Sequence, residues 1–301
     1  MKTPFHELFD ETRIGRTSEV RLNHLLQKAT QENISPASAD KRKTLFLAID
    51  MQNDFMEQGE LGVPGSHLDV SRAARFLYDH MEKITQVAIS LDTHQPQQIF
   101  HPGWWVDDKG NHPAPFTIIT HEDVQLGKWR ALTHQTESLD YVSHLAQNSK
   151  KELCIWPYHC LEGSFGAALE GQFANMVYYH SVARKAAPLR IVKGKDPLSE
   201  MYGIIKPEYG PHAAEQLDFL ESLRTYEYIF VVGEAKSHCV LESLRQILEY
   251  YEADPSVTSR IVVLEDCMSS IPGFEAAAED AFTAWQKAYK ISVTRSTDFT
   301  W

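Results

Sequence analysis

The chain of 301 residues has few cysteines, a shortage of positive charge and no long apolar run, and each shortage removes a class of protein. Its four cysteines, Cys154, Cys160, Cys239 and Cys267, form no CxxC pair and no dense disulfide framework. They read as reduced thiols in a cytoplasmic protein. Lys and Arg number 29 against 41 Asp and Glu, a net charge of −12, so no basic footprint exists for nucleic acid or an anionic membrane. Nothing approaches the ~18 apolar residues a bilayer-spanning helix needs, and MKTPFHELFDETRIG at the start has no apolar core of a secretory signal. No G-x-G-x-x-G follows the first strand pattern, and no Walker A or G-x-S-x-G sequence occurs. A nucleotide cofactor and a serine nucleophile elbow are thereby excluded. Hydrophobic residues still make up 43% of the chain, enough for a sizeable core.

Residues 1–43 are polar, with Val20, Leu22, Leu25, Leu26 and Ala29 on one side of a predicted helix, and end in the basic triplet Lys41-Arg42-Lys43. They read as an arm that packs on the body or on a neighbouring subunit. From residue 44 the pattern alternates. LFLAID (45–50), QVAISLD (86–92), LRIVKG (189–194), YIFVVG (228–233), RIVVLED (260–266) and KISVTRS (290–296) read as buried strands. Amphipathic helices lie between them, one capped by Ser66 and another following Cys239. Strands apolar throughout, alternating with helices, predict an α/β fold: a doubly wound, mainly parallel six-stranded sheet with helices on both faces, in three layers. Residues 44–301 form one such domain, with a long insertion at about 102–150 that carries Trp104 and Trp105 and a helix near 138–148. The insertion is expected to reshape a pocket or to build an oligomer interface.

Open α/β sheets bind ligands at the carboxyl ends of their strands, and polar residues gather there. Cys239 follows the fourth strand in GEAKSHCV and opens a helix, whose N-terminus favours a thiolate and offers N–H groups to an oxyanion. The competing role is that of a small buried hydrophobe. Asp50 ends the first strand and must be paired or solvated. In the common strand order 3-2-1-4-5-6 it lies beside Cys239 and can accept the thiol proton. Lys193, at the exit of the third strand, is either a balancing charge in the same cleft or a solvated lysine. Asp92 and His94 end the second strand two residues apart, so both project from one face. With a distant histidine, His101 or His159, they make an N/O metal site with open positions.

DMQNDF (50–55), LDTH (91–94), WPYHC (156–160), VKG (192–194) and GEAKSHCV (233–240), in this order, resemble the isochorismatase-like cysteine hydrolases, most closely the nicotinamidase branch. The resemblance spans about 45–296. It implies a catalytic triad of Asp50, Lys193 and Cys239, and an oxyanion hole from the N–H groups of Ala235 and Cys239 after a cis Glu234-Ala235 peptide. It implies a divalent metal, zinc first and iron or manganese next, on Asp92, His94 and His159. It also implies that Phe55 and Trp156 stack on the substrate ring. Some relatives have a further histidine ligand; here His101 or Gln98 stands near that place.

The activity so implied is hydrolysis of a small carboxamide to acid and ammonia through a thioester, with nicotinamide the first choice of substrate, by a homo-oligomer. An active Cys239 would titrate well below the ordinary thiol value of about 8.5. The alternatives are a carbamoyl or ureido hydrolase of the same family and a catalytically silent scaffold.

Overall fold

The computed structural model describes residues 1–148, 151–210 and 216–301; the last two residues of the expected insertion, 149 and 150, lie outside that set. The central sheet is built from β1 (Thr44–Ile49), β2 (Gln86–Asp92), β3 (Leu189–Lys193), β4 (Tyr228–Gly233), β5 (Ile261–Leu264) and β6 (Ser292–Thr294). They pair in parallel in the order 6-5-4-1-2-3, which is the doubly wound order read from the other edge. β1 and β5 are buried at every residue, the mark of a strand covered on both faces. The two outermost strands differ from the expected buried runs. In β3 only Ile191 and Lys193 are buried, and β6 has no buried residue. An edge strand has a neighbour on one side only, so less of it is covered.

Alternate side chains leave the sheet in opposite directions and feed two cores. Phe46, Ala48, Val87, Ile89, Phe230 and Val232 meet α2 (Ser66–Asp79) and α4 (Gly171–Arg184) on one face. Leu45, Leu47, Ile49, Ile229 and Val231 meet α5 (Leu217–Leu223), α6 (Leu241–Tyr250) and α7 (Glu275–Tyr289) on the other. Ser66 begins α2 but does not cap it. Gly65 takes the cap position in the left-handed region, and Ser66 Oγ makes no cap bond.

The arm packs on its own chain: α1 (Leu22–Thr30) lies along α4, burying Leu25 and Ala29. Tyr179 OH donates to Glu32 Oε1 at 2.8 Å and lies 2.7 Å from the Thr3 hydroxyl, which donates to it. The insertion folds around a third cluster, in which α3 (Gln135–Gln147) packs Tyr141, Val142 and Leu145 against Trp104, Trp105, Phe100 and Trp156. Trp104 and Trp105 are 1% and 0% exposed, so this pair is internal and cannot form a subunit interface. Trp104 Nε1 donates to Ser138 and Trp105 Nε1 to the Ile99 carbonyl, which removes the cost of burying the indole N–H groups. Among the described residues no helix is long and apolar enough to cross a membrane.

Candidate functional site

Four strand ends converge on one pocket. β1 delivers Asp50, which sits in the left-handed region at φ +49. Ser90 Oγ accepts the Asp50 N–H at 2.9 Å and donates to Asp50 Oδ1 at 2.5 Å. β2 delivers Asp92, and in the parallel register Asp92 stands opposite Lys193 of β3. Lys193 Nζ lies 2.9 Å from Asp50 Oδ2, 3.2 Å from Asp92 Oδ1 and 3.7 Å from Cys239 Sγ, and donates to the Met201 carbonyl at 3.0 Å. Of the two sequence readings of Lys193, the solvated one is removed: the side chain is fully buried among these groups. Burial works against its charge, but Asp50, Asp92 and Cys239 outweigh it and hold the ammonium well above the ordinary lysine range.

Beyond β4 the chain passes the cis peptide Glu234-Ala235 and enters a wide π-helical turn, Lys236–Val240, that continues into α6. Cys239 therefore stands in the first turn of the helical segment, facing Lys193 and Asp50. Glu234 N–H and Lys236 N–H donate to the Ile49 and Ser269 carbonyls, while Ala235 N–H finds no such acceptor among the described residues. The expectation of a thiol well below about 8.5 is not met. Burial pushes the Cys239 thiol up, against the pull of the Lys193 ammonium and with help from the Asp50 and Asp92 carboxylates. Burial also raises Asp50 above the usual carboxylate range. The resting site thus holds a neutral thiol beside a carboxylate of raised affinity for protons.

Asp92, His94 and His159 are the group of His, Cys, Asp and Glu side chains among the described residues that could hold a metal, with their ligand atoms within 4.8 Å of one another. His94 Nε2 is 2.9 Å and His159 Nε2 3.8 Å from Asp92 Oδ2. The other ring nitrogens are occupied: His94 Nδ1 bonds the Gly194 carbonyl at 3.0 Å and His159 Nδ1 the Pro157 carbonyl at 2.8 Å. A carbonyl can only accept, so each Nδ1 carries a proton, and each Nε2 is turned toward Asp92 as the atom a cation would take. One carboxylate and two imidazoles suit a divalent first-row metal with open positions. His101 falls outside the group; its ring lies 5.9 Å from that of His94 and 6.1 Å from that of His159. Gln98 is committed to the backbone, donating to the Gly194 and Asp196 carbonyls and accepting from Gln95 N–H.

The same motifs supply a layer of support that sequence reading missed. Gln52 brackets the backbone of Asp92, donating to its carbonyl at 2.8 Å and accepting its N–H at 2.7 Å. Asp54 accepts the Cys160 N–H at 2.6 Å and so fixes the loop that carries His159. The alternation in DMQNDF, polar residues where a strand exit would need none, is the available signal.

The pocket holds about 510 Å³ of empty space, open to solvent at its mouth. Phe55, Phe100, Trp156, Met201, Tyr202 and Ile271 form apolar walls around Asp92, His94, His159, Lys193, Cys239 and Ala235. Phe55 and Trp156 are thus both on the walls. Glu200 and His238 line it too and had no sequence signal.

No family-level sequence model matches the chain. The nicotinamidase of Saccharomyces cerevisiae is 24% identical over 202 residues, covering 66% of this chain and 77% of that one. Among solved structures, the yeast nicotinamidase bound to the inhibitor nicotinaldehyde is similar with a TM-score of 0.59 and 18% identity, over 84% of this chain and 99% of that one. A pyrazinamidase of Pyrococcus horikoshii in complex with zinc is similar with a TM-score of 0.50 and 16% identity, over 84% and 99%. The chain thus shares the three-layer α/β fold of these structures, with its six-stranded parallel sheet. The order of the motifs is similar to that of the isochorismatase-like cysteine hydrolases, most closely their nicotinamidase branch, and the fold is shared with the solved nicotinamidase.

Proposed function

We propose that the chain is a cysteine amidohydrolase that converts nicotinamide to nicotinate and ammonia, with Asp50, Lys193 and Cys239 as its catalytic residues. The observation that carries this reading is that a carboxylate, an ammonium and a thiol meet at the wall of an aromatic pocket that also holds three metal donors. Asp50 removes the Cys239 proton as the sulfur attacks the amide carbon, so the thiolate forms in the encounter rather than beforehand. The N–H groups of Ala235 and Cys239 receive the oxyanion. Asp50 returns the proton to the departing nitrogen, which leaves as ammonia. It then takes a proton from water as that water attacks the thioester carbon, and passes it to the departing sulfur, which releases the acid and restores the thiol. Lys193 keeps two buried carboxylates tolerable at this distance from each other. Phe55 and Trp156 hold the flat ring of the substrate.

Asp92, His94 and His159 would hold a divalent cation, zinc first in view of the zinc-bearing neighbour. Such an ion supplies a fixed positive charge and a coordination site for a ring nitrogen or a water. We place the activity in the cytoplasm, where the free thiols stay reduced. The deciding experiment is ammonia release from nicotinamide, before and after stripping by a chelator. Release that is lost on stripping and returns with metal supports the reading. No release from metal-loaded protein overturns the choice of substrate.

A further inference from the structure

We propose that Glu200 is a positioning residue for the substrate pocket, drawing Trp156, Tyr202 and Tyr141 into one hydrogen-bonded knot and so setting how firmly the aromatic walls grip the substrate. The inference rests on the amidase reading of the pocket, and its first test does not depend on that reading.

Glu200 Oε1 accepts from Trp156 Nε1 at 2.8 Å and from Tyr202 OH at 2.5 Å. Glu200 Oε2 accepts from Tyr141 OH at 3.0 Å, and that hydroxyl takes the Glu200 N–H at 3.3 Å. The donors come from separate parts of the chain: the loop that leads to His159, the loop beyond β3, and insertion helix α3. Trp156 and Tyr202 line the pocket, their rings perpendicular at 6.4 Å, whereas Tyr141 sits behind them in the insertion core. All three partners are neutral donors, so the carboxylate accepts them most strongly when ionised; a proton weakens its hold, and on Oε1 it competes with Trp156 and Tyr202 for the two lone pairs they share.

The charged and titratable groups facing Glu200 are Tyr141 on α3, Tyr202 and Glu208 on its own loop, and Cys154 and Lys151 ahead of the Trp156 loop. Burial pushes Glu200 up to about 7, against the pull of its three donors and with help from Glu208. The knot therefore tightens and loosens across neutral pH. Above that range the walls are held most firmly; below it the hold on Trp156 and Tyr202 slackens.

Tryptophan emission of the metal-loaded, substrate-free protein, titrated from pH 5 to 9, tests the knot directly. Wild type should show a transition near neutrality that Glu200→Gln lacks, and Tyr141→Phe, which removes one donor, should move it to higher pH. With nicotinamide, Glu200→Gln should raise KM by about tenfold at pH 8, the worth of one charge-assisted hydrogen bond, with kcat within about twofold. The wild-type KM should approach that of the variant as pH falls. Far-ultraviolet dichroism and melting show that each variant is folded. Absence of a Glu200-dependent emission change, or a fall in kcat at unchanged KM, overturns the proposal. If nicotinamide is not a substrate, the amidase choice fails while the emission titration still decides the role of Glu200.

Discussion

Gly194 and Asp92 approach so closely that a Cβ on the glycine would stand 2.4 Å from Asp92 Oδ1. Gly194 also holds φ at +78, and its carbonyl anchors His94 Nδ1 and Gln98 Nε2. Three demands thus fall on one residue: a left-handed backbone, room for a metal donor, and a fixed acceptor behind another. Gly194→Ala should fold, with strain of about 1–2 kcal/mol, but lose tenfold or more in metal affinity, the usual scale for disturbed support of a ligand. Competition with a chelator followed by elemental analysis measures this. A fully loaded variant would show that the donors have slack.

Cys239 and Asp50 separate chemistry from metal binding. Cys239→Ala should reduce ammonia release to background, and Asp50→Asn should cut kcat by about 10²–10⁴, the range for a lost general base. Neither residue is among the metal donors, so metal content should match wild type in the alanine variant. Turnover by Cys239→Ala would remove the thioester from the mechanism.

Glu200 leaves a mark on stability as well. An acid that goes from its ordinary 4.5 to about 7 on folding binds its proton more tightly in the native state, so its contribution to stability falls as pH rises through that window. The span amounts to about 3 kcal/mol. Glu200→Gln does not titrate there. Its stability relative to wild type should improve by up to that amount between pH 4 and 8, as read from urea midpoints. A constant difference across this range would mean that Glu200 keeps its ordinary affinity for protons.

The parts of this site legible in the sequence are those attached to strand ends. Asp50, Asp92 and Lys193 stand out because a charged residue closing an apolar strand needs a reason, and Cys239 because it opens a helix. The six-stranded order follows from the same alternation. Glu200, Tyr202 and Tyr141 were not legible: they lie in an irregular loop and in the insertion, where no periodicity says which side chains meet. The raised thiol of Cys239 was hidden for a related reason. Local position suggests a helix N-terminus, whereas burial, set by packing from several elements, raises the proton affinity despite Lys193. Where the arm packs was not legible either; in the structure Leu25 and Ala29 lie against α4 of the same chain.

That packing has a test at the far end of the sheet. Arg184, at the end of α4, is fully buried; its guanidinium reaches Asp40 Oδ2 at 2.5 Å and also donates to the Ser35 and Ile84 carbonyls. Asp40 and Ser35 belong to the arm, and Asp40 also accepts from Thr85 Oγ1 at 2.7 Å, next to the start of β2. Asp40→Ala would leave a buried cation without its carboxylate, a loss of about 3–5 kcal/mol. Since the pair lies at the amino ends of β1 and β2 and the pocket at their carboxyl ends, kcat and KM should hold at low temperature while the melting temperature drops by several degrees. Melting at the wild-type temperature would show that the carbonyls of Ser35 and Ile84 satisfy Arg184 unaided. A lowered kcat in protein that is still folded would mean that the arm is coupled to the pocket through the sheet.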